Sequence, residues 1–93
     1  MQNKSFRETK LRGVFEISIK EHSDARGLFT NIYRKEEEIF QFIWGQRSIS
    51  KVNISITNKK ETIRGMHFQI SPNSECKIIK CIKGSVFDVA IDL

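Results

Sequence analysis

The sequence predicts an all-β domain, a sandwich or barrel type whose edges are not all closed within these 93 residues. Three observations point there. Apolar and polar residues alternate with period two through several short runs, the signature of half-buried strands. Turn-forming clusters punctuate those runs at Ser23-Asp24-Ala25-Arg26-Gly27, Asn58-Lys59-Lys60-Glu61, Ser71-Pro72-Asn73-Ser74 and Lys83-Gly84. A single stretch, 35–44, has helical spacing.

Taken in order, residues 1–12 form a polar lead-in, expected to be disordered or an edge segment, and 13–93 form the folded domain. Val14-Phe15-Glu16-Ile17-Ser18-Ile19 reads as a strand with Phe15, Ile17 and Ile19 on one face. After the turn at 23–27, residues 28–33 resume an extended reading. The helix at 35–44 places Ile39, Phe40, Phe42 and Ile43 along one broad side to dock on the sheet. Glu36, Glu37 and Glu38 stand in its first turn, where the macrodipole favours acids, and Gly45 ends it. Residues 48–57 alternate strictly: Val52, Ile54 and Ile56 on one face, Lys51, Asn53 and Ser55 on the other. Strands are expected again at 63–70, 76–82 and 85–93. The last run ends as a long apolar edge that needs cover from further strands or a second copy.

One domain at most is implied by this length, and the margin of stability in so short a chain is small. Sixteen basic residues face eleven acidic ones, a formal charge of +5. That favours an anionic partner such as a phosphate or nucleotide. The basic residues are scattered, with no block longer than Lys59-Lys60, which argues against a nucleic-acid binder. No apolar run approaches the roughly 20 residues of a membrane span, and the polar start is unlike a secretory signal. The expectation is therefore a cytoplasmic protein with no membrane association. Cys76 and Cys81, five apart in one predicted strand, point to opposite faces and read as reduced thiols.

Chemistry concentrates in Thr62-Ile63-Arg64-Gly65-Met66-His67-Phe68-Gln69. His67 and Gln69 share a strand face, and an imidazole takes up a proton near neutral pH. A lone strand histidine also fits a structural role. Arg64 is a permanent cation whose fork suits phosphate or carboxylate. Strict alternation sets it on the face opposite His67, so a shared cavity requires a bulge or kink, which Gly65 permits. Lys77 reads either as a solvated lysine or as an ammonium near developing negative charge. Asn53 on its polar face, Asp88 beside small residues and Arg26 in its turn each have an ordinary surface reading as well. His67-Phe68-Gln69 has the outline of a metal-binding His-x-His with the second histidine replaced. One imidazole, one amide and distant carboxylates make a poor metal set, so no metal is expected.

Several stretches together carry a family resemblance: Gly13-Val14-Phe15-Glu16-Ile17, Asp24-Ala25-Arg26-Gly27-Leu28-Phe29, Asn53-Ile54-Ser55, Arg64-Gly65-Met66-His67-Phe68-Gln69, Lys77, and Gly84-Ser85-Val86-Phe87-Asp88-Val89-Ala90-Ile91-Asp92. In this order they resemble the first half of the dTDP-4-dehydrorhamnose 3,5-epimerase family. The resemblance implies an incomplete cupin-like (jelly-roll) β-sandwich over 13–93. It implies a cofactor-free isomerase that removes a proton beside a sugar ketone, in deoxysugar synthesis of the rhamnose type for surface polysaccharide, and a homodimer. His67 matches the base and Lys77 the lysine that steadies the enolate. Arg64, Asn53 and Gln69 match the sugar-nucleotide pocket, Arg26 and Phe29 a segment lent to the neighbouring subunit's nucleotide site, and Asp88 a buried acid. The alternatives are a non-catalytic binding or assembly module of the same family, or a nucleotide-sugar 3,4-ketoisomerase.

The chain departs from the family pattern in three places. Asn31 stands where the family usually has Glu, and Lys51 where it usually has Gln; both changes bear on the nucleotide side. The tyrosine acid and the aspartate that orients the histidine belong to the family's second half, and the single tyrosine here, Tyr33, is not at that position.

Overall fold

The computed structural model describes residues 3–93. It divides into two compact units, Met1–Val52 and Asn53–Leu93. Among the described residues four of the five regular elements are strands, so the fold is all-β with one short helix, and incomplete as a cupin-like domain: β1 Lys4–Glu8, β2 Phe15–Ile19, β3 His22–Asp24, β4 Gly27–Phe29 and α1 Glu38–Trp44.

In the first unit, β1 and β2 form an antiparallel hairpin in which Lys4 faces Ile19, Phe6 faces Ile17 and Glu8 faces Phe15. β1 lies inside the polar lead-in. It forms because β2 offers it a ladder and because the connecting loop closes on itself. The Thr9 amide donates to the Val14 carbonyl at 2.9 Å. The Gly13 amide, at a backbone φ of +84° that glycine tolerates, donates to Glu8 Oε2 at 2.9 Å. The predicted alternation of β2 is observed: Phe15, Ile17 and Ile19 are half-buried while Glu16 and Ser18 are exposed.

The helix begins three residues later than the spacing predicts. Glu37 is its N-cap, with extended backbone and no side-chain capping bond. Its carboxylate is committed elsewhere. Lys4 Nζ donates to Glu37 Oε1 at 2.7 Å and Oε2 at 2.9 Å, and to Asn31 Oδ1 at 2.9 Å. The same ammonium lies 5.9 Å from the Phe40 ring centroid. At the far end Gly45, at φ +69°, donates its amide to the Gln41 carbonyl. Phe40 is the buried apolar side chain of the described residues, at 2 per cent exposure. Ile39 and Ile43 are half-buried beside it. Phe42 is 72 per cent exposed. It follows Phe40 by two positions, about 200° around the helix, so the two cannot share a face. Phe42 instead meets Phe6 of β1 at 5.3 Å between centroids, and Tyr33 packs on Phe40 at 4.7 Å. A groove of about 400 Å³ runs between β1 and α1, lined by Lys4, Ser5, Phe6, Glu38, Ile39 and Phe42.

The runs at 48–57, 63–70, 76–82 and 85–93 have no ladder among the described residues, contrary to the four strands expected there. The intended inner faces are open to solvent: Val52, Ile54 and Ile56 are 73 to 82 per cent exposed and Phe87 is 94 per cent exposed. A strand's hydrogen bonds and its apolar face both need a neighbour, and alternation alone provides neither. The turns between these runs do form. Thr62 Oγ1 donates to the Lys59 carbonyl at 2.8 Å, Glu61 adopts φ +62°, the Asn73 amide donates to the Ile70 carbonyl at 2.8 Å, and Gly84 adopts φ +80°. No described helix is long and apolar enough to cross a membrane.

Candidate functional site

The candidate residues divide between the two units. Arg26 and Phe29 belong to the first. β3 and β4 pair antiparallel, with His22 facing Phe29 and Asp24 facing Gly27, so Ala25 and Arg26 form a two-residue hairpin loop. Asp24 closes it: Oδ1 accepts the Arg26 amide at 2.8 Å, and Oδ2 accepts Arg26 Nη2 at 2.8 Å and Nε at 3.3 Å. The guanidinium bond, followed by the Arg26 amide, holds the Asp24 carboxyl below its ordinary value of 3.8. The Arg26 side chain is 91 per cent exposed and Phe29 72 per cent. The hairpin thus presents a cation and an aromatic ring outward.

Asn53, Arg64, His67, Gln69, Lys77 and Asp88 belong to the second unit, and all six are exposed. The expected pivot is observed at Gly65, which adopts φ +117°. A Cβ there would stand 3.4 Å from His67 Nδ1 and 3.5 Å from the His67 amide nitrogen, so the imidazole folds back over the glycine. Arg64 is held in another direction. Its Nε donates to Thr57 Oγ1 at 2.9 Å and its Nη2 to the Ile56 carbonyl at 3.1 Å. The imidazole is in open solvent and not in a cavity shared with Arg64, and Asp88 is likewise exposed where the resemblance implies a buried acid.

Sequence reading missed two sets of residues. Lys4, in the polar lead-in, is a buried cation pairing with Glu37 and Asn31. Asn31, one of the departures from the family pattern, therefore has a structural partner within its own unit. Thr57 has in sequence only the look of a strand end; a hydroxyl flanking a turn, seven positions before an arginine, is the available signal. Cys76 and Cys81 are both free thiols.

The sequence profile described as dTDP-4-dehydrorhamnose 3,5-epimerase matches residues 8–93. The chain belongs to this family. The dTDP-4-dehydrorhamnose 3,5-epimerase of Sinorhizobium fredii is 31% identical over 97 residues, covering 99% of this chain and 44% of the relative. The enzyme of the same name from Mycobacterium tuberculosis is 34% identical, covering 94% of this chain and 42% of the relative. A dTDP-4-dehydrorhamnose 3-epimerase of Streptomyces niveus is 31% identical, covering 89% of this chain and 39% of the relative. The chain thus spans less than half the length of these curated relatives. No solved structure gives a significant match.

Proposed function

We propose that this chain supplies the proton-abstracting part of a cytoplasmic, homodimeric dTDP-4-dehydrorhamnose 3,5-epimerase acting in rhamnose-type deoxysugar synthesis. The observation that supports this most directly is the family match across 8–93, with Arg64-Gly65-Met66-His67 inside it and Gly65 turned so that the His67 ring lies over it. The substrate is a dTDP-4-keto-6-deoxyhexose. His67, as a neutral imidazole, takes a proton from a carbon beside the C4 ketone. The electron pair moves into the carbonyl to give an enolate, and the Lys77 ammonium steadies the charge on that oxygen. No cofactor or metal takes part. Arg64 takes the diphosphate, Asn53 and Gln69 line the same pocket, and Asp88 borders it. Arg26 and Phe29, exposed on their hairpin, reach the nucleotide site of a second copy. Inversion needs a proton returned to the opposite face, and loss of a positioned acid typically costs on the order of 10²–10⁴-fold in rate.

A second reading, a non-catalytic binding or assembly module, has its own support in the exposure of all six second-unit residues. Resolving the products formed from a dTDP-4-keto-6-deoxyhexose separates these readings. Inversion at C3 and C5 fits the 3,5-epimerase, inversion at C3 alone a 3-epimerase, and a migrated ketone a 3,4-ketoisomerase. Tight substrate binding with no product after prolonged incubation establishes the module.

A further inference from the structure

The contacts of Arg64 carry an inference about Thr57, a residue with no role in the reading above. A guanidinium offers five N–H donors in one plane. Here the Nε and Nη2 edge is engaged from behind: Nε donates to Thr57 Oγ1 at 2.9 Å and Nη2 to the Ile56 carbonyl at 3.1 Å. Both acceptors precede the turn at 59–61, which Glu61 at φ +62° and the bond from Thr62 Oγ1 to the Lys59 carbonyl shape. The Nη1 edge is the side left for a ligand. Directly after Arg64, Gly65 turns the chain and brings the His67 ring against it. One clamp therefore sets the arginine at the head of the segment that carries the imidazole.

We propose that Thr57 is a positioning residue: by accepting from Arg64 Nε it fixes the guanidinium plane so that the outer edge meets the diphosphate of the nucleotide sugar. The diphosphate part of this rests on the reading under Proposed function. Ordering a long side chain before the ligand arrives removes a cost otherwise met on binding, which for one such side chain corresponds to about three- to tenfold in affinity.

The test uses the 93-residue chain labelled with ¹⁵N, with the Arg64 Nε–H signal assigned by its loss in Arg64→Lys. Solvent exchange of that proton is compared in the wild type, Thr57→Val, which keeps the shape and removes the acceptor, and Thr57→Ser, which restores it. Each is then titrated with dTDP. Slowed exchange in the wild type and Thr57→Ser, rapid exchange in Thr57→Val, and dTDP affinity about three- to tenfold lower in Thr57→Val alone are expected. Equal exchange in all three, or equal dTDP affinity despite altered exchange, overturns the positioning role. A wild type that binds no dTDP defeats the nucleotide reading and with it the diphosphate part of this proposal; the exchange comparison then decides the clamp by itself.

Discussion

Lys4 is 3 per cent exposed at its side chain, and its ammonium is shared between a half-buried Glu37 carboxylate and Asn31. A buried ammonium is tolerable only while its acceptors stay in place. Replacing it leaves the carboxylate without its partner, and Glu37 still has access to water. Lys4→Met is therefore expected to destabilise the first unit by about 1–3 kcal/mol, read by urea unfolding of Trp44, the one tryptophan of the chain. An unchanged midpoint contradicts the anchoring role. Asp24 gives a pH prediction. Its folded-state carboxyl lies below the ordinary 3.8, through the Arg26 guanidinium first and the Arg26 amide second. Its contribution to the hairpin is in place above that ordinary value and is lost as pH falls through the lowered folded one. The Arg26 amide resonance should move with a midpoint under 3.8, and Asp24→Asn should abolish the movement.

At the scale of elements, what folds here is what is local. The Asp24–Arg26 turn, the Gly45 helix stop and the turns at 59–61, 70–73 and 83–84 close within a few residues and were readable from Asp, Asn, Gly and Pro alone; the loop 9–14 is as local but lay hidden in the polar lead-in. β2 was legible for the same reason that 48–57 was not. Both alternate, but β1 supplies β2 with a ladder and no described segment does so for 48–57. β1 itself was hidden because a polar strand of Lys, Ser and Arg shows no apolar period until its partner is known. Sequence identified Gly65 as the pivot, while the common strand face expected for His67 and Gln69 has no ladder among the described residues to form on. It gave no sign that Arg64 reaches back to Thr57, because that bond depends on the turn between them. α1 has seven residues, too few to hold without tertiary contact. Phe40 is its anchor, so Phe40→Ala, at about 3–5 kcal/mol, is expected to remove α1 from the far-ultraviolet dichroism spectrum and leave Trp44 fully solvated. A retained helix signal contradicts this.

On the scale of the whole molecule, the second unit holds the residues of the proposed chemistry and leaves its apolar residues uncovered, among them Ile54, Ile63, Phe68, Ile79 and Phe87, each more than 60 per cent exposed. In open solvent, water competes for the enolate that Lys77 is proposed to stabilise, and electrostatic stabilisation weakens as the surroundings become more polar. On the proposed reading, proton removal is the step that depends least on enclosure, and inversion the step that depends most on it. The central claim is that His67 takes that proton, and deuterium uptake from solvent reads it without requiring inversion. With a dTDP-4-keto-6-deoxyhexose in deuterated buffer, the chain should introduce deuterium beside the C4 ketone above the uncatalysed background, and His67→Ala should fall to that background. Equal uptake with and without the imidazole, or none above background in the intact chain, would contradict the account.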